Sequence, residues 1–188
     1  MRVNVSSKQI KSAFEAVKHD HSFDESRALY DQGRLPAQMI QALCLRPEIL
    51  RAFGQFGDCL YPGGLLSRRE KELVIIESSR RNACQFCANS HIDLVKMMGV
   101  IEEPERSLDE MSALSDRESL AIEYARAMMT DSNRVPDALF AQIKKQFAEP
   151  EIVELTFLVG YINMLNMFNN ALQVRYEGEY AAISKGAK

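Results

Sequence analysis

Apolar residues recur at three- and four-residue intervals along most of the chain, and no run alternates apolar and polar positions long enough to read as a strand. That pattern predicts an all-α fold. Two helix starts carry the same local chemistry: Ser67 with Glu70 in LSRREKELVII, and Ser115 with Glu118 in LSDRESLAIEYA. In the S-x-x-E spacing the serine hydroxyl and the glutamate carboxylate satisfy amides that the first helical turn leaves over. Helices over 67–81 and 116–130 are expected to follow. A helix over 83–98 carries NACQFCANSH and stops near Gly99, and EEPE at 102–105 is a turn or a new start. Pro136-Asp137 opens a stretch reaching Phe147, and Pro150 restarts the chain into a long last helix over 150–175. This last helix is apolar on nearly every face, which places it in the centre of a core or against a partner subunit. Residues 1–62 read as short helices broken at Gly33, Pro36, Pro47 and Pro62, with YPGG at 61–64 as a loop. The expected organisation is a single domain, with an N-terminal arm over 1–62, a helical core over 63–178 and a tail over 179–188.

With 188 residues the chain can bury most of its apolar surface without disulfide staples. A net charge of -3 gives no footprint for nucleic acid, and Arg80-Arg81 is too small a patch to make one. The richest apolar stretch, LTFLVGYINMLNMF, is shorter than the roughly 18 residues of a membrane span and contains Asn163 and Asn166, so no membrane partner is expected. The start, MRVNVSSKQIKSAFEAVKHD, lacks the apolar region and small-residue cleavage site of a secretory signal. The expectation is therefore a cytoplasmic protein, where closely spaced cysteines are more often catalytic or metal-binding than structural.

The candidate chemistry lies in NACQFCANSH. At about 100° per residue, Cys84, Cys87 and His91 project at about 0°, 300° and 340°, on one helix face. The first turn of a helix stabilises a thiolate, and Cys87 and His91 are one turn apart, about 6 Å of rise. Acidifying a thiol by about 2 units raises its thiolate fraction about 25-fold but lowers its nucleophilicity about 8-fold. A positioned acid or base contributes about 10²- to 10⁴-fold. His91 is thus worth more as a proton carrier than as a charge, and it needs a group to orient it. Glu72 is the candidate, with Glu70 and Glu77 as competitors and all three open to simple solvation. A zinc site is the rival chemistry, but three ligands on one helix need a fourth, and no second Cys or His pair stands at ligand spacing. His19 and His21 read as loop residues, and neither a metal nor a bound cofactor is expected. The remaining alternative makes both cysteines small buried hydrophobes. Cys44 and Cys59 read as core, and Asn163, Asn166, Asn169 and Asn170 as side chains bonded to nearby backbone.

Residues 71–100, KELVIIESSRRNACQFCANSHIDLVKMMGV, resemble the carboxymuconolactone decarboxylase family and, within it, the alkylhydroperoxidase D (AhpD)-like, peroxidase-related branch. That branch pairs E-x(11)-C-x-x-C-x(3)-H in an all-helical bundle, and Glu72, Cys84, Cys87 and His91 match the spacing. The resemblance extends through LSDRESLAIEYA and EPEIVELTFLVGYINMLNMFNNAL, covering about 65–174, and carries little of the first 60 residues. It implies that Cys87 attacks a peroxide, Cys84 resolves it as a disulfide, and His91 with Glu72 relays protons. Phe86 departs from the best-known members, which have a second histidine there. The implied activity is that of a thiol-dependent alkyl hydroperoxidase or disulfide oxidoreductase in antioxidant defence. The implied partners are an external dithiol, from a lipoyl protein or a peroxiredoxin, and further copies of the chain in a trimer or hexamer. Two alternatives share the scaffold: a redox-sensing or partner-binding protein with negligible turnover, and a lactone decarboxylase-like enzyme, whose branch typically lacks the cysteine pair.

Overall fold

The computed structural model describes residues 1–178, apart from the side chain of Asp58, so the predicted tail over 179–188 lies outside the described residues. Among these no strand forms, and ten α-helices carry the chain. They are α1 (Ser7–Ala16), α2 (Asp24–Asp31), α3 (Gln38–Leu43), α4 (Pro47–Cys59), α5 (Arg68–Arg81), α6 (Gln85–Met97), α7 (Pro104–Glu110), α8 (Asp116–Asp131), α9 (Asp137–Gln146) and α10 (Glu149–Leu172). Met1–Gly64 with Asn169–Glu177 form one compact unit, and Leu65–Phe168 make up the described body of the other apart from Gly178. The sequence reading drew this border at 62 and gave 169–177 to the core. The returning segment is instead stitched to the first unit by bonds from Arg2 N to Leu172 O (2.7 Å) and from Arg175 N to Gln38 Oε1 (3.0 Å).

In the first unit, Ser6 and Gln9 form a capping box that starts α1, and Ile10, Ala13, Phe14 and Val17 are buried along its inner face. Pro47 marks the break between α3 and α4, as expected. It opens α4, where its missing N–H would have had no partner. Cys44 is buried as expected, and burial pushes its thiol up to about 11. Cys59 is not core. It is exposed in the last turn of α4, where its thiol donates to Gln55 O at 3.5 Å.

The second unit begins with the two predicted capping boxes, both formed: Ser67 N donates to Glu70 Oε2 (2.7 Å) and Ser115 N to Glu118 Oε2 (2.8 Å). The boxes also clasp each other. Arg69 Nε donates to Glu118 Oε1 (2.6 Å), and Arg117 Nε donates to Glu70. Each LS-x-RE sequence therefore supplies the arginine that pairs with the other's glutamate. Below the clasp, Leu73, Ile76, Ile92, Val95, Ile101, Leu108 and Ile122 form a continuous apolar core drawn from α5 to α8.

Helix α10 stops at Leu172, short of the predicted 175, because Gln173 adopts a left-handed backbone (φ 52) and Val174 N turns back to Asn169 O at 2.9 Å. Its asparagines do not interrupt it, so by length and composition it could cross a membrane, which the sequence reading had not allowed. One face buries Leu155, Leu158, Val159 and Ile162, while Val153, Phe157, Met164 and Met167 are exposed. On the buried side Glu154 pairs with Lys71 Nζ (2.8 Å), which is 0% exposed, and accepts from the amides of Leu65 (2.5 Å) and Leu66 (3.1 Å). Burial pushes the Glu154 carboxyl up, but Lys71 and the two amides outweigh it and hold it below the usual carboxylate range.

Replacing Glu154 by Gln leaves the Lys71 ammonium buried without its carboxylate and is expected to cost about 3–5 kcal/mol in urea denaturation at neutral pH. The double substitution Lys71→Met with Glu154→Leu should cost less than the single one. Because the folded carboxyl titrates below the unfolded one, the wild-type pair contributes fully above about pH 4.5 and is lost as pH falls through the lower folded value. Acid unfolding curves of the wild type and the double variant should therefore converge at low pH.

Candidate active site

Two turns of helix and the link between them assemble the four residues picked from the sequence. Glu72 lies on α5 with a side chain that is 0% exposed, so its charge needs a partner inside the protein. Arg68, one turn earlier on the same face, donates Nε to Glu72 Oε1 at 2.6 Å. The second oxygen, Oε2, lies 2.7 Å from His91 Nδ1. A carboxylate accepts, so Nδ1 carries the hydrogen, and a neutral ring keeps its lone pair on Nε2. His91 in turn follows Cys87 by one turn of α6, about 6 Å. The competing carboxylates are engaged elsewhere: Glu70 with Ser67 and Arg117, and Glu77 with Arg81 (2.9 Å) and Arg126 (2.7 Å).

Cys84 is the N-cap residue of α6 and Cys87 stands in its first turn, with their sulfurs 3.0 Å apart and neither in a disulfide. Both are buried, at 1% and 4% exposure. Either thiol can donate across this contact. The Cys87 thiol draws Cys84 down to about 7 against the opposing effect of burial, helped by the Cys87 amide, the Asn166 side chain and the Phe86 amide. At neutral pH about half of such a sulfur is ionised, against about 3% of an ordinary cysteine.

The residues that sequence reasoning missed surround this pair. Asn82 Nδ2 donates to Asn163 Oδ1 (2.8 Å) and Asn166 Oδ1 (3.0 Å), and Asn166 Nδ2 donates to Ser79 Oγ (3.1 Å). Asn163 and Asn166 thus bond to side chains at the end of α5, not to local backbone, and Asn169 Nδ2 donates to Met39 Sδ at 3.4 Å. Their presence in an otherwise apolar helix was the available signal. Arg68 was legible too, four residues before Glu72. Among the described residues no group of three or more His, Cys, Asp or Glu side chains is arranged to hold a metal. A cleft of about 640 Å³ in the first unit is lined by Lys11, Phe14, Arg27, Tyr30 and Arg34 among others, and by none of the predicted site residues.

Residues 47–108 match the model of the carboxymuconolactone decarboxylase family. The uncharacterized protein YdfG of Bacillus subtilis (strain 168) is 29% identical over 111 residues, which span 57% of this chain and 76% of YdfG. The fold matches that of an uncharacterized peroxidase-related protein with an alkylhydroperoxidase AhpD core from Ralstonia eutropha JMP134. The TM-score is 0.78 at 17% identity, over 95% of this chain and 93% of that one. It also matches the debrominase Bmp8, with a TM-score of 0.72 at 15% identity, over 100% and 98% of the two chains.

Thiolate absorbance near 240 nm should rise with a midpoint near pH 7 in the reduced protein and vanish from that range in Cys84→Ser. In Cys87→Ala the midpoint should move up, since the neighbouring thiol is the largest cause of the depression. The ionised form lies below its unfolded value, so its contribution to stability is present at alkaline pH and is lost as pH falls through about 7.

Proposed function

We propose that this chain, whose residues 47–108 belong to the carboxymuconolactone decarboxylase family, is a thiol-dependent hydroperoxidase of the AhpD-like kind, working through Cys84 and Cys87 without a bound cofactor. The observation that carries this reading is the Glu72–His91 contact at 2.7 Å, one helical turn from a reduced cysteine pair. Cys87 gives its proton to His91 Nε2 and attacks the peroxide; the O–O bond breaks, Cys87 becomes a sulfenic acid, and the alkoxide takes the proton back from His91. Cys84 thiolate then attacks the sulfenic sulfur, the disulfide forms, and hydroxide leaves as water. Two thiols and one peroxide yield a disulfide, an alcohol and water. An external dithiol, from a lipoyl protein or a peroxiredoxin, restores the thiols. Glu72 keeps the imidazole in the tautomer that accepts from Cys87, and Arg68 keeps Glu72 charged.

The likeness to the debrominase Bmp8 favours a second substrate class for the same dithiol, an aryl bromide. The bromide would leave, a hydrogen would take its place, and the two thiols would supply the electrons as they close to a disulfide. Bromide release from a bromopyrrole in the absence of peroxide consumption would select this reading.

A homo-oligomer, trimer or hexamer, is proposed as the working form. Val153, Phe157, Met164 and Met167 are exposed along α10, with exposed Gly160 between them, so the stripe advances by four and three residues as a helix-packing seam does. In a cytoplasmic setting such a face is covered by another copy.

Cys87→Ser should abolish peroxide consumption measured with a dithiol reductant, and full turnover in that variant sinks the assignment. Glu72→Gln should slow it by about 10²-fold or more through the misplaced imidazole. Phe157→Glu or Met164→Glu should shift sedimentation toward the monomer while the far-ultraviolet circular dichroism stays helical.

A further inference from the structure

Asn82, Ala83 and Cys84 reverse the chain between α5 and α6, and the separation of the two thiols depends on how that turn is held. Ala83 adopts a left-handed backbone (φ 50), which residues with a β-carbon populate sparsely. Such a turn persists where its surroundings fix it. Backbone bonds supply part of the hold: Ala83 N donates to Arg80 O (3.0 Å) and Cys84 N to Ser79 O (2.9 Å). Side chains from α10 supply the rest.

Asn163 and Asn166 stand three residues apart on one face of α10, and the Asn82 amino group donates to both carbonyl oxygens. Asn166 is 0% exposed and donates in turn to Ser79 Oγ (3.1 Å), and Ser79 is the fully buried residue whose carbonyl receives the Cys84 amide. The bonds close a ring: Asn82 to Asn166, Asn166 to Ser79, Ser79 to Cys84, and through Ala83 back to Asn82. Asn163 fastens that ring to α10 a second time. Cys84 is thereby fixed against the last turns of α5, and its carbonyl starts α6 by accepting from Ala88 N (2.9 Å). Cys87 follows in the first turn with its sulfur 3.0 Å from that of Cys84. Without the asparagines the turn is held by backbone bonds alone, and the two sulfurs range over wider separations.

We propose that Asn163 and Asn166 are positioning residues that hold the two thiols together before oxidation and so shift the pair toward its disulfide. This rests on the dithiol chemistry proposed above. Two reacting groups held in contact need not first be brought together, which favours the step that joins them. With glutathione disulfide as the oxidant, one protein thiol loses its proton and attacks, the glutathione S–S bond breaks, one glutathione leaves with that proton, and a mixed disulfide remains. The second protein thiol then loses its proton and attacks the protein sulfur of the mixed disulfide; the protein disulfide closes and the second glutathione leaves as a thiol. Two protein thiols have lost two electrons and two protons, and one glutathione disulfide has become two glutathiones. The second step is the one that needs both protein sulfurs to meet, so the ring acts there.

The intact chain, with Cys59→Ser to remove the exposed thiol outside the site, is equilibrated in glutathione buffers at neutral pH, quenched with acid and alkylated. Mass spectrometry then counts dithiol, mixed disulfide and disulfide in this background and with Asn163→Ala, Asn166→Leu or Ile162→Val added. Asn163→Ala removes one bond and should lower the constant for disulfide closure about fivefold, the worth of one net hydrogen bond. Asn166→Leu removes two and should lower it further, and in both the singly glutathionylated form should build up. Ile162→Val, on the buried face of the same helix, should lower the urea midpoint and leave the constant unchanged, which separates placement of the thiols from stability of the helix. Asn163 is half-buried, so its variant keeps the test available if position 166 does not tolerate change. An unchanged constant in every asparagine variant that folds, a fall in Ile162→Val as large as theirs, or a parent that never closes its disulfide overturns the proposal. Because no peroxide enters the measurement, a lowered constant in a protein without peroxide turnover would uphold the asparagines and remove the peroxidase reading instead.

Discussion

A charge buried in a protein must be paired, and α5 buries four of them. Glu70, Lys71, Glu72 and Glu77 all lie below the surface on a single helix, and each reaches a different part of the second unit for its counter-charge or hydrogen bond. Glu70 takes Arg117 from α8, Lys71 takes Glu154 from α10, Glu72 takes His91 from α6, and Glu77 takes Arg126 from α8. Ion pairs of this kind add little net stability over apolar residues of the same volume. What they supply here is placement, because a helix slid or rotated by one residue would strand several charges at once.

The candidate site is one instance of that requirement. Glu72 must be satisfied in a buried position, and the group that satisfies it is the imidazole one turn from Cys87. Arg68 completes the pairing at the other carboxylate oxygen. On the other side of the dithiol the pairing is between neutral amides. Asn82, Asn163, Asn166 and Ser79 join α5, the turn and α10 with directional bonds. Charge pairing orients the histidine, and amide bonds hold the turn that leads into Cys84.

Local chemistry made much of this legible from the sequence. Capping boxes at Ser67 and Ser115, the stop at Gly99 and the one-face arrangement of Cys84, Cys87 and His91 all depend on spacings of a few residues. The Glu72–His91 pairing spans nineteen positions but follows once α5 and α6 pack as neighbours, which the family pattern implies. What was not legible depends on which distant helix comes near. The partners of Asn166 lie more than 80 residues away, and nothing local distinguishes an asparagine bonded to its own backbone from one bonded across a bundle. Cys59 was misplaced for a similar reason, since a small apolar residue near a helix end is core or surface according to the neighbours that the tertiary fold supplies.

The clasp between the two capping boxes bears on how this sequence can drift over generations. Arg69 answers Glu118 and Arg117 answers Glu70, while both glutamates also close the first turn of their own helices. A lone change at position 70 loosens the start of α5 and takes from Arg117 of α8 one of its two carboxylate partners, the other being Glu151 (2.7 Å). Changes at 69, 70, 117 and 118 are therefore accessible mainly as matched sets, and related chains should vary there in step, as two halves of one lock rather than as four separate surface positions.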